Sequence, residues 1–295
     1  MFGRILMTLG LAILLASPAH AGFGLVLPDS PIVDDPEKTS LNLVICAIDP
    51  ATGAGIPIER PQVFTALRYS GDNMDRSEHL SVLDEVVAYG ARAWTTNISL
   101  PPPGVYQLVM QTKAGWVPEQ DKFVQYVTKV QIPAYGSAEG WDKPANISFE
   151  ISPLSRPFGL CSGMAFSGQA LFDGTPIPGA LIDVARLDPA IKPNVAQPED
   201  PNAPPQDDKA QPKAKKQDKQ PTPQPISAFG ATQQVKADSQ GVFTFVCPLP
   251  GWWAFSTSMA GDPLQDPEGK QKPLEIKTIF WVYMNDCPKT APSKK

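Results

Sequence analysis

The sequence predicts an all-β protein built from two β-sandwich domains, and three observations lead to this fold class. The chain contains 34 prolines among its 295 residues, and proline is poorly tolerated inside helices. Many short runs are rich in β-branched and aromatic residues and lie between Pro, Gly, Asn or Asp. The length suits two domains better than one. These features argue against a mainly helical fold and favour sandwich modules.

Eleven runs have the alternating or apolar character of strands. They are residues 41–48, 63–69, 105–111, 123–132, 147–151, 164–172, 180–187, 233–237, 242–247, 252–259 and 276–284. Residues 81–87 are the one segment with a helix-like pattern. Because neighbouring residues of a strand face opposite ways, we expect one of the adjacent indoles of Trp252 and Trp253 to lie in the core and the other outside.

The first 21 residues have the features of a signal peptide. A positive charge at Arg4 precedes an apolar segment, and Ala19-His20-Ala21 fits a small-x-small cleavage site. Cleavage after Ala21 would make Gly22 the mature terminus, and cleavage after Ala19 would make it His20. The apolar segment is short for a membrane span, and no later segment is long and apolar enough. We therefore expect a periplasmic or secreted protein that does not span the membrane after cleavage.

The domain boundaries follow from changes in composition. We place the signal peptide at 1–21, the first sandwich at 22–153, the second at 154–287 and a tail at 288–295. The boundary falls in the stretch SPLSRPF, whose two prolines interrupt strand pairing. Residues 188–230 form a charged, Pro-rich insertion in the second sandwich. Such a segment cannot bury enough surface to offset its ordering entropy, so a disordered loop is predicted.

Four cysteines are present, at positions 46, 161, 247 and 287. None has the C-x-x-C spacing of a redox or zinc motif, and an even number in an exported chain suggests two disulfides. In a sandwich of alternating strands, Cys161, Cys247 and Cys287 would lie at one end, facing the first domain. We expect a Cys161–Cys247 bridge within the second domain and a Cys46–Cys287 bridge between the domains, although four cysteines allow three connectivities.

Composition and motifs also limit the function. The net charge of −5 gives no reason to expect nucleic acid as a partner. The sequence contains no G-x-S-x-G elbow, no H-E-x-x-H helix and no P-loop. We therefore expect a binding or structural protein rather than an enzyme.

Several stretches resemble known modules. FSGQALFDGTPIPGA and GVFTFVCPLPGWW resemble a small transthyretin-like or carboxypeptidase-regulatory-like sandwich. With the upstream stretches YVTKV, EGWDKP and SPLSRPF, in that order from about residue 23 to 282, the chain resembles the NikM-type family of domain-of-unknown-function proteins. The resemblance implies a periplasmic accessory component of nickel and cobalt uptake. Its expected partner is a membrane metal-uptake transporter, and its expected ion is Ni(II) or Co(II).

The resemblance also points to a metal site that this chain alters. Members of the family usually begin the mature chain with His, before a segment like FGLVLP, and carry His-Pro where this chain has Asp49-Pro50 in CAIDPATGAG. A terminal amine and two imidazoles suit Ni(II). Here His20 and His79 are the only histidines, so the candidate ligands are Asp49, His20 and His79, and metal binding is expected to be weakened or lost.

Three hypotheses remain for Asp49. The first is a side-chain turn before Pro50, and the second is a carboxylate ligand in an altered metal site that favours harder ions. The third is a loop surface that contacts a partner. For the whole protein the alternative to a metal-uptake accessory is a structural or protein-interaction protein of the cell envelope. Metal titration distinguishes the two.

Overall fold

The computed structural model describes residues 22–50, 52–198 and 232–287, and within these ranges the fold is all-β, as predicted. The strands are, in chain order, β1 (Phe23–Pro28), β2 (Ser40–Ile48), β3 (Gly55–Ile56), β4 (Val63–Ser70), β5 (Asn73–Glu78), β6 (Asp84–Ala88), β7 (Ala91–Ser99), β8 (Gly104–Gln111), β9 (Gly115–Val117), β10 (Lys122–Ala134), β11 (Phe149–Pro153), β12 (Leu160–Cys161), β13 (Ala165–Phe172), β14 (Thr175–Pro176), β15 (Leu181–Leu187), β16 (Gln233–Lys236), β17 (Val242–Val246), β18 (Gly251–Gln265) and β19 (Gln271–Asn285). Two short 3-10 turns, Leu80–Val82 and Pro118–Gln120, are the only helical segments described. In the described part of the chain, no helix has the length and apolarity needed to cross a membrane.

Each of the eleven predicted runs overlaps a strand. The helix-like prediction at 81–87 is wrong. Residues Leu80–Val82 form one 3-10 turn, and Asp84–Ala88 pairs with β7 as strand β6. The signal peptide, its cleavage site and the tail lie outside the described residues.

The strands form three sheets. The first has the order β1-β2-β7-β6, with β3 beside β2. The central sheet has ten strands in the order β16-β15-β18-β19-β10-β8-β4-β5, with β12 beside β19 and β9 beside β10. The third contains β11, β13, β14 and β17. Strands β10 and β19 pair in parallel, so the central sheet continues from one half of the chain into the other. One sheet thus contains strands from both sides of the predicted domain boundary at 153/154. The division into two sandwich domains therefore stays a prediction.

Both faces of the central sheet are covered at strands β18 and β19. Trp252 and Trp281 belong to the core shared with the first sheet, whereas Trp253 and Phe280 belong to the core shared with the third sheet. Trp252 is 9% exposed and Trp253 is 2% exposed. The prediction that one indole lies outside is therefore wrong. Because neighbouring strand residues point to opposite sides, the two indole rings do lie on opposite faces of the central sheet, but a hydrophobic core covers each of these faces.

The first part of the predicted insertion has defined contacts. Ile191 packs against the core of the first half. Val87 and Ala196 exchange backbone hydrogen bonds of 2.8 and 2.9 Å in an isolated antiparallel bridge. The prediction of a disordered loop is thus wrong for residues 188–198, because the packing of Ile191 and the bridge at Ala196 hold this segment against the first half. Residues 199–230 lie outside the described residues.

The predicted disulfide pairing is also wrong. Cys161 is bonded to Cys287, and their Cα atoms are 5.4 Å apart. Cys46 and Cys247 are buried free thiols, each in a different core. Cys161 and Cys247 do lie at one end of the second half, because Gly163 N donates to Cys247 O at 2.7 Å. The disulfide instead connects β12 to the segment that follows β19, and these two strands are neighbours in the central sheet.

Strand β1 lies so close to the central sheet that a side chain at residue 24 does not fit. A Cβ atom on Gly24 would come within 2.6 Å of Thr128 Oγ1 and 2.8 Å of Tyr126 Cβ. We expect Gly24→Ala to lower the free energy of unfolding by about 1–3 kcal/mol through overpacking, as measured by urea denaturation. Gly115→Ala is the matched control, because its nearest neighbour would be 3.9 Å away. Equal losses for the two variants would contradict this steric account.

Candidate functional site

The pairing of β1 with β2 brings the predicted mature terminus to the turn that contains Asp49. Phe23 lies opposite Ile48 in an antiparallel register. One step further, Gly22 therefore faces the position of Asp49. Gly22 and the Asp49 turn thus lie at the same end of the first sheet.

The Asp49 turn is closed by hydrogen bonds. Asp49 N donates to Ala54 O at 2.9 Å, and Gly53 N donates to Asp49 O at 2.7 Å. The hydroxyl of Thr52 donates to Asp49 Oδ2 at 2.9 Å. Asp49 is only 6% exposed. Its carboxylate therefore helps to form the turn, as the first of the three hypotheses expects, at a position next to the beginning of β1.

Two more residues lie next to this turn: Tyr89, which was not identified from the sequence, and Cys46, which was expected in a disulfide but is a free thiol. Tyr89 O accepts a hydrogen bond from Gly55 N at 2.9 Å. Its phenol oxygen is buried and has no hydrogen-bond partner among the described residues. Burial, and to a lesser degree the nearby Cys46, raises the pKa of Tyr89, and burial raises the pKa of the Cys46 thiol. Both side chains are therefore protonated at neutral pH. The only sequence signal was the position of Cys46 at the end of a buried strand.

The space around Gly22 is limited. Gly22 is buried, and a Cβ atom there would come within 2.4 Å of Tyr126 Oη and 2.5 Å of Ile56 Cδ1. The Ile56 methyl can move, but Tyr126 lies in the core. Any larger side chain at position 22 would therefore require Tyr126 to shift. The packing around residue 22 therefore fits glycine.

The candidate ligand His79 does not belong to this turn. His79 follows β5 in the central sheet, where its Nε2 lies 2.9 Å from Ser77 Oγ and its ring packs beside Phe64. Burial lowers the pKa of His79, and Glu78 partly opposes this. His79 is therefore mainly neutral at pH 7. His20 lies outside the described residues.

Few atoms at the Asp49 turn could coordinate a metal ion. Within residues 22–50, 52–198 and 232–287, no group of three or more His, Cys, Asp and Glu side chains is arranged to hold a metal ion. Asp49 offers oxygen, and a mature terminus at Gly22 would add one amine nitrogen. Two such donors form an incomplete site, and the amine must lose a proton before it can bind metal.

The fold and this site define a class: an all-β protein of sandwich type with its candidate site at a strand-end turn. The Cys161–Cys287 disulfide is the kind of bond that persists in oxidising compartments such as the periplasm or the extracellular space.

The sequence matches the family model described as "Domain of unknown function (DUF4198)" over residues 19–261. The chain therefore belongs to this family. No curated protein matches the sequence.

Two solved structures show a distant likeness. A marsupial T cell receptor is 10% identical, with a TM-score of 0.22, and the alignment covers 90% of this chain and 74% of that one. A Salmonella alpha-2-macroglobulin mutant is 11% identical, with a TM-score of 0.20, and the alignment covers 90% of this chain and 15% of that one. At these TM-scores neither likeness carries an argument about function.

Proposed function

We propose that the protein is an exported accessory protein related to transition-metal uptake, whose own metal site has been weakened. The observation that supports this is the register of β1 and β2, in which Phe23 lies opposite Ile48, so that the next residues on each side are Gly22 and Asp49. The two positions where the resembling family carries His would meet there. A nickel or cobalt ion bound at this place by imidazoles would lose two nitrogen donors in this chain. The scaffold and the transporter partner would be retained, and no catalytic activity is proposed.

A second function is favoured by the Asp49 turn itself. The carboxylate accepts a hydrogen bond from Thr52, and the described residues contain no three-ligand cluster. These observations also suit a structural or protein-interaction protein of the cell envelope that binds no metal. The two functions differ in one measurable property, the affinity of the mature protein for Ni(II) or Co(II).

Calorimetric titration with Ni(II) should show weak binding by the native mature protein and tighter binding by Asp49→His. We expect a gain of about tenfold or more, equivalent to about 1.4 kcal/mol or more, because an imidazole nitrogen replaces a carboxylate oxygen. Intact mass should first establish whether the chain begins at Gly22 or at His20. A mature His20 would itself supply an amine and an imidazole.

Asp238→His is the matched control. Asp238 also forms a turn, in which its Oδ1 accepts hydrogen bonds from Gln240 N and Val242 N at 2.8 and 2.9 Å. This turn lies between β16 and β17 in the second half of the chain and is not part of the Asp49 turn. An equal gain there would mean that any added His binds nickel. Tight binding by the native protein that survives Asp49→Ala would place the site elsewhere. No binding by any of these proteins would favour the structural function.

A further inference from the structure

Strand β17 forms an open edge of the third sheet. It pairs with β13 in an antiparallel register that runs from Val242 opposite Gln169 to Val246 opposite Ala165. In the described part of the chain, no second strand pairs with β17. An unpaired edge carries backbone N–H and C=O groups that can bond a further strand. The side of β17 that faces away from β13 is therefore a candidate interaction surface.

Hydrogen bonds at the two ends of β17 show which backbone groups lie on this edge. Gly241 O accepts a hydrogen bond from β13 at 2.9 Å, and Cys247 N donates one to the residue before β13 at 3.0 Å. Residues of an antiparallel strand alternate between bonding the partner strand and facing away from it. The odd-numbered residues of β17 therefore bond β13. The backbone groups of Val242, Thr244 and Val246 face away from it.

Only two of these three residues have free backbone groups. Val242 N donates to Asp238 Oδ1, and Asp238 N donates to Val242 O, both at 2.9 Å. Among the residues that the structure describes, the backbone N–H and C=O groups of Thr244 and Val246 have no hydrogen-bond partner. The next residue on this edge is Pro248, which has no N–H group. The edge thus offers two adjacent donor–acceptor pairs and is limited on both sides.

The side chains of β17 do not protect this edge. All residues of the strand, VFTFV, are uncharged. Val246 is 54% exposed, and Phe245 is only partly buried, at the border of the core shared with the third sheet. Edge strands that stay single usually carry charges, as β5 of the central sheet does with Asp75 and Arg76. The edge of β17 therefore has the character of one that receives a partner strand.

We propose that β17 pairs with β17 of a second copy of this chain, antiparallel and across a two-fold axis at Phe245. Thr244 then lies opposite Val246 of the second copy and exchanges two hydrogen bonds with it, and the symmetry repeats this pair. All the free groups of both edges are bonded in this way, and the two Phe245 rings become neighbours.

The hydrogen bonds favour this register over its neighbours. An axis at Thr244 would place Val242 in the new ladder, where Asp238 already occupies its N–H group. An axis at Val246 would place Pro248 there, which has no donor. The edge therefore matches its own copy in one register. The proposal does not depend on the metal role, because none of these residues belongs to the Asp49 turn.

The test is sedimentation velocity of the full mature protein over a range of concentrations. We expect a weak dimer that is half-formed at about 10–200 μM, because a contact along one strand is at the small end of interface sizes. Val246→Lys should weaken the dimer about tenfold or more, since it adds a charge to the pairing edge. Thr244→Pro should do the same, because it removes a donor that bonds nothing in the single chain. Val82→Lys is the matched control, since Val82 is 48% exposed and lies in the first half, and it should leave the dimer unchanged.

Amide hydrogen exchange locates the contact. The amides of Thr244 and Val246 should exchange rapidly in the dilute monomer and about tenfold or more slowly at concentrations that form the dimer. The Val242 amide is the internal control, because it is bonded to Asp238 within each chain and should change little.

Three results would overturn the proposal. The first is a protein that stays monomeric at about 1 mM, which would leave the edge to a strand of a different protein. The second is a dimer that forms without slowing exchange at Thr244 and Val246, since another surface would then hold it together. The third is a dimer of unchanged strength in Val246→Lys.

Discussion

Replacing Lys129 by Met is expected to lower the free energy of unfolding by about 3–5 kcal/mol. Lys129 and Glu150 form an ion pair whose side chains are only 2% and 4% exposed. Burial lowers the pKa of Lys129, and the neighbouring Glu150 carboxylate opposes that shift. Glu150 also accepts a hydrogen bond from Ala145 N at 3.3 Å. Removing the ammonium leaves a carboxylate buried without its counter-ion, which is among the most costly single changes in a protein.

Urea denaturation of three variants measures this effect. The double variant Lys129→Met/Glu150→Met should recover much of the loss, because it leaves no unpaired charge behind. Arg76→Met is the matched control, since the Arg76–Glu78 pair is 46% and 55% exposed and such surface pairs contribute about 0–1 kcal/mol. A loss for Lys129→Met no larger than that of Arg76→Met would show that the buried pair is not important for stability.

Removal of the Cys161–Cys287 disulfide should cause the second large loss of stability. The two residues are 126 positions apart in the sequence, and a loop of this size corresponds to about 4–5 kcal/mol in the chain-entropy model. We expect Cys161→Ser/Cys287→Ser to lose about that much stability and to unfold at a lower urea concentration. Reduction of the native protein should have a similar effect.

The free thiols provide the control. Cys46→Ala and Cys247→Ala leave the bridge intact and should each cost much less. Burial raises the pKa of the Cys247 thiol to about 12, so it should react slowly with alkylating reagents in the folded protein. Non-reducing peptide mapping should find one bridged pair and two alkylated cysteines after denaturation. A bridge to Cys247 would contradict the Cys161–Cys287 pairing.

Much of the secondary structure could be predicted, because many strands are runs of β-branched and aromatic residues that are bounded by Pro or Gly in the sequence. The run VFTALRYS of β4 and the run GVYQLVMQ of β8 are examples. Strand β7, ARAWTTNIS, was not predicted, since its polar residues on the open side weaken the pattern. Pairing between distant strands leaves no local signal at all. The contact between β10 and β19 therefore could not be predicted, and neither could the burial of both Trp252 and Trp253.

The candidate site was predictable only in part. The turn after β2 is evident from Asp49-Pro50 and the glycines that follow, and the register of β1 then brings Gly22 beside it. Tyr89 reaches this turn from the end of β6, through a contact that no sequence spacing indicates. The prediction of the disulfide pairing was wrong for a related reason. The position of a cysteine at one end of a sandwich does not say which strand is its neighbour, and β12 proved to lie beside β19.

The parallel pairing of β10 with β19 also has a kinetic consequence. A ribosome produces β10 well before β19, so for that interval β10 has a long, largely apolar edge with unpaired backbone groups. Such an edge can join another chain and start aggregation. The contact also has a high sequence separation, and chains rich in such contacts fold slowly. Nascent chains of this protein should therefore depend on a holding chaperone until their last strand is complete.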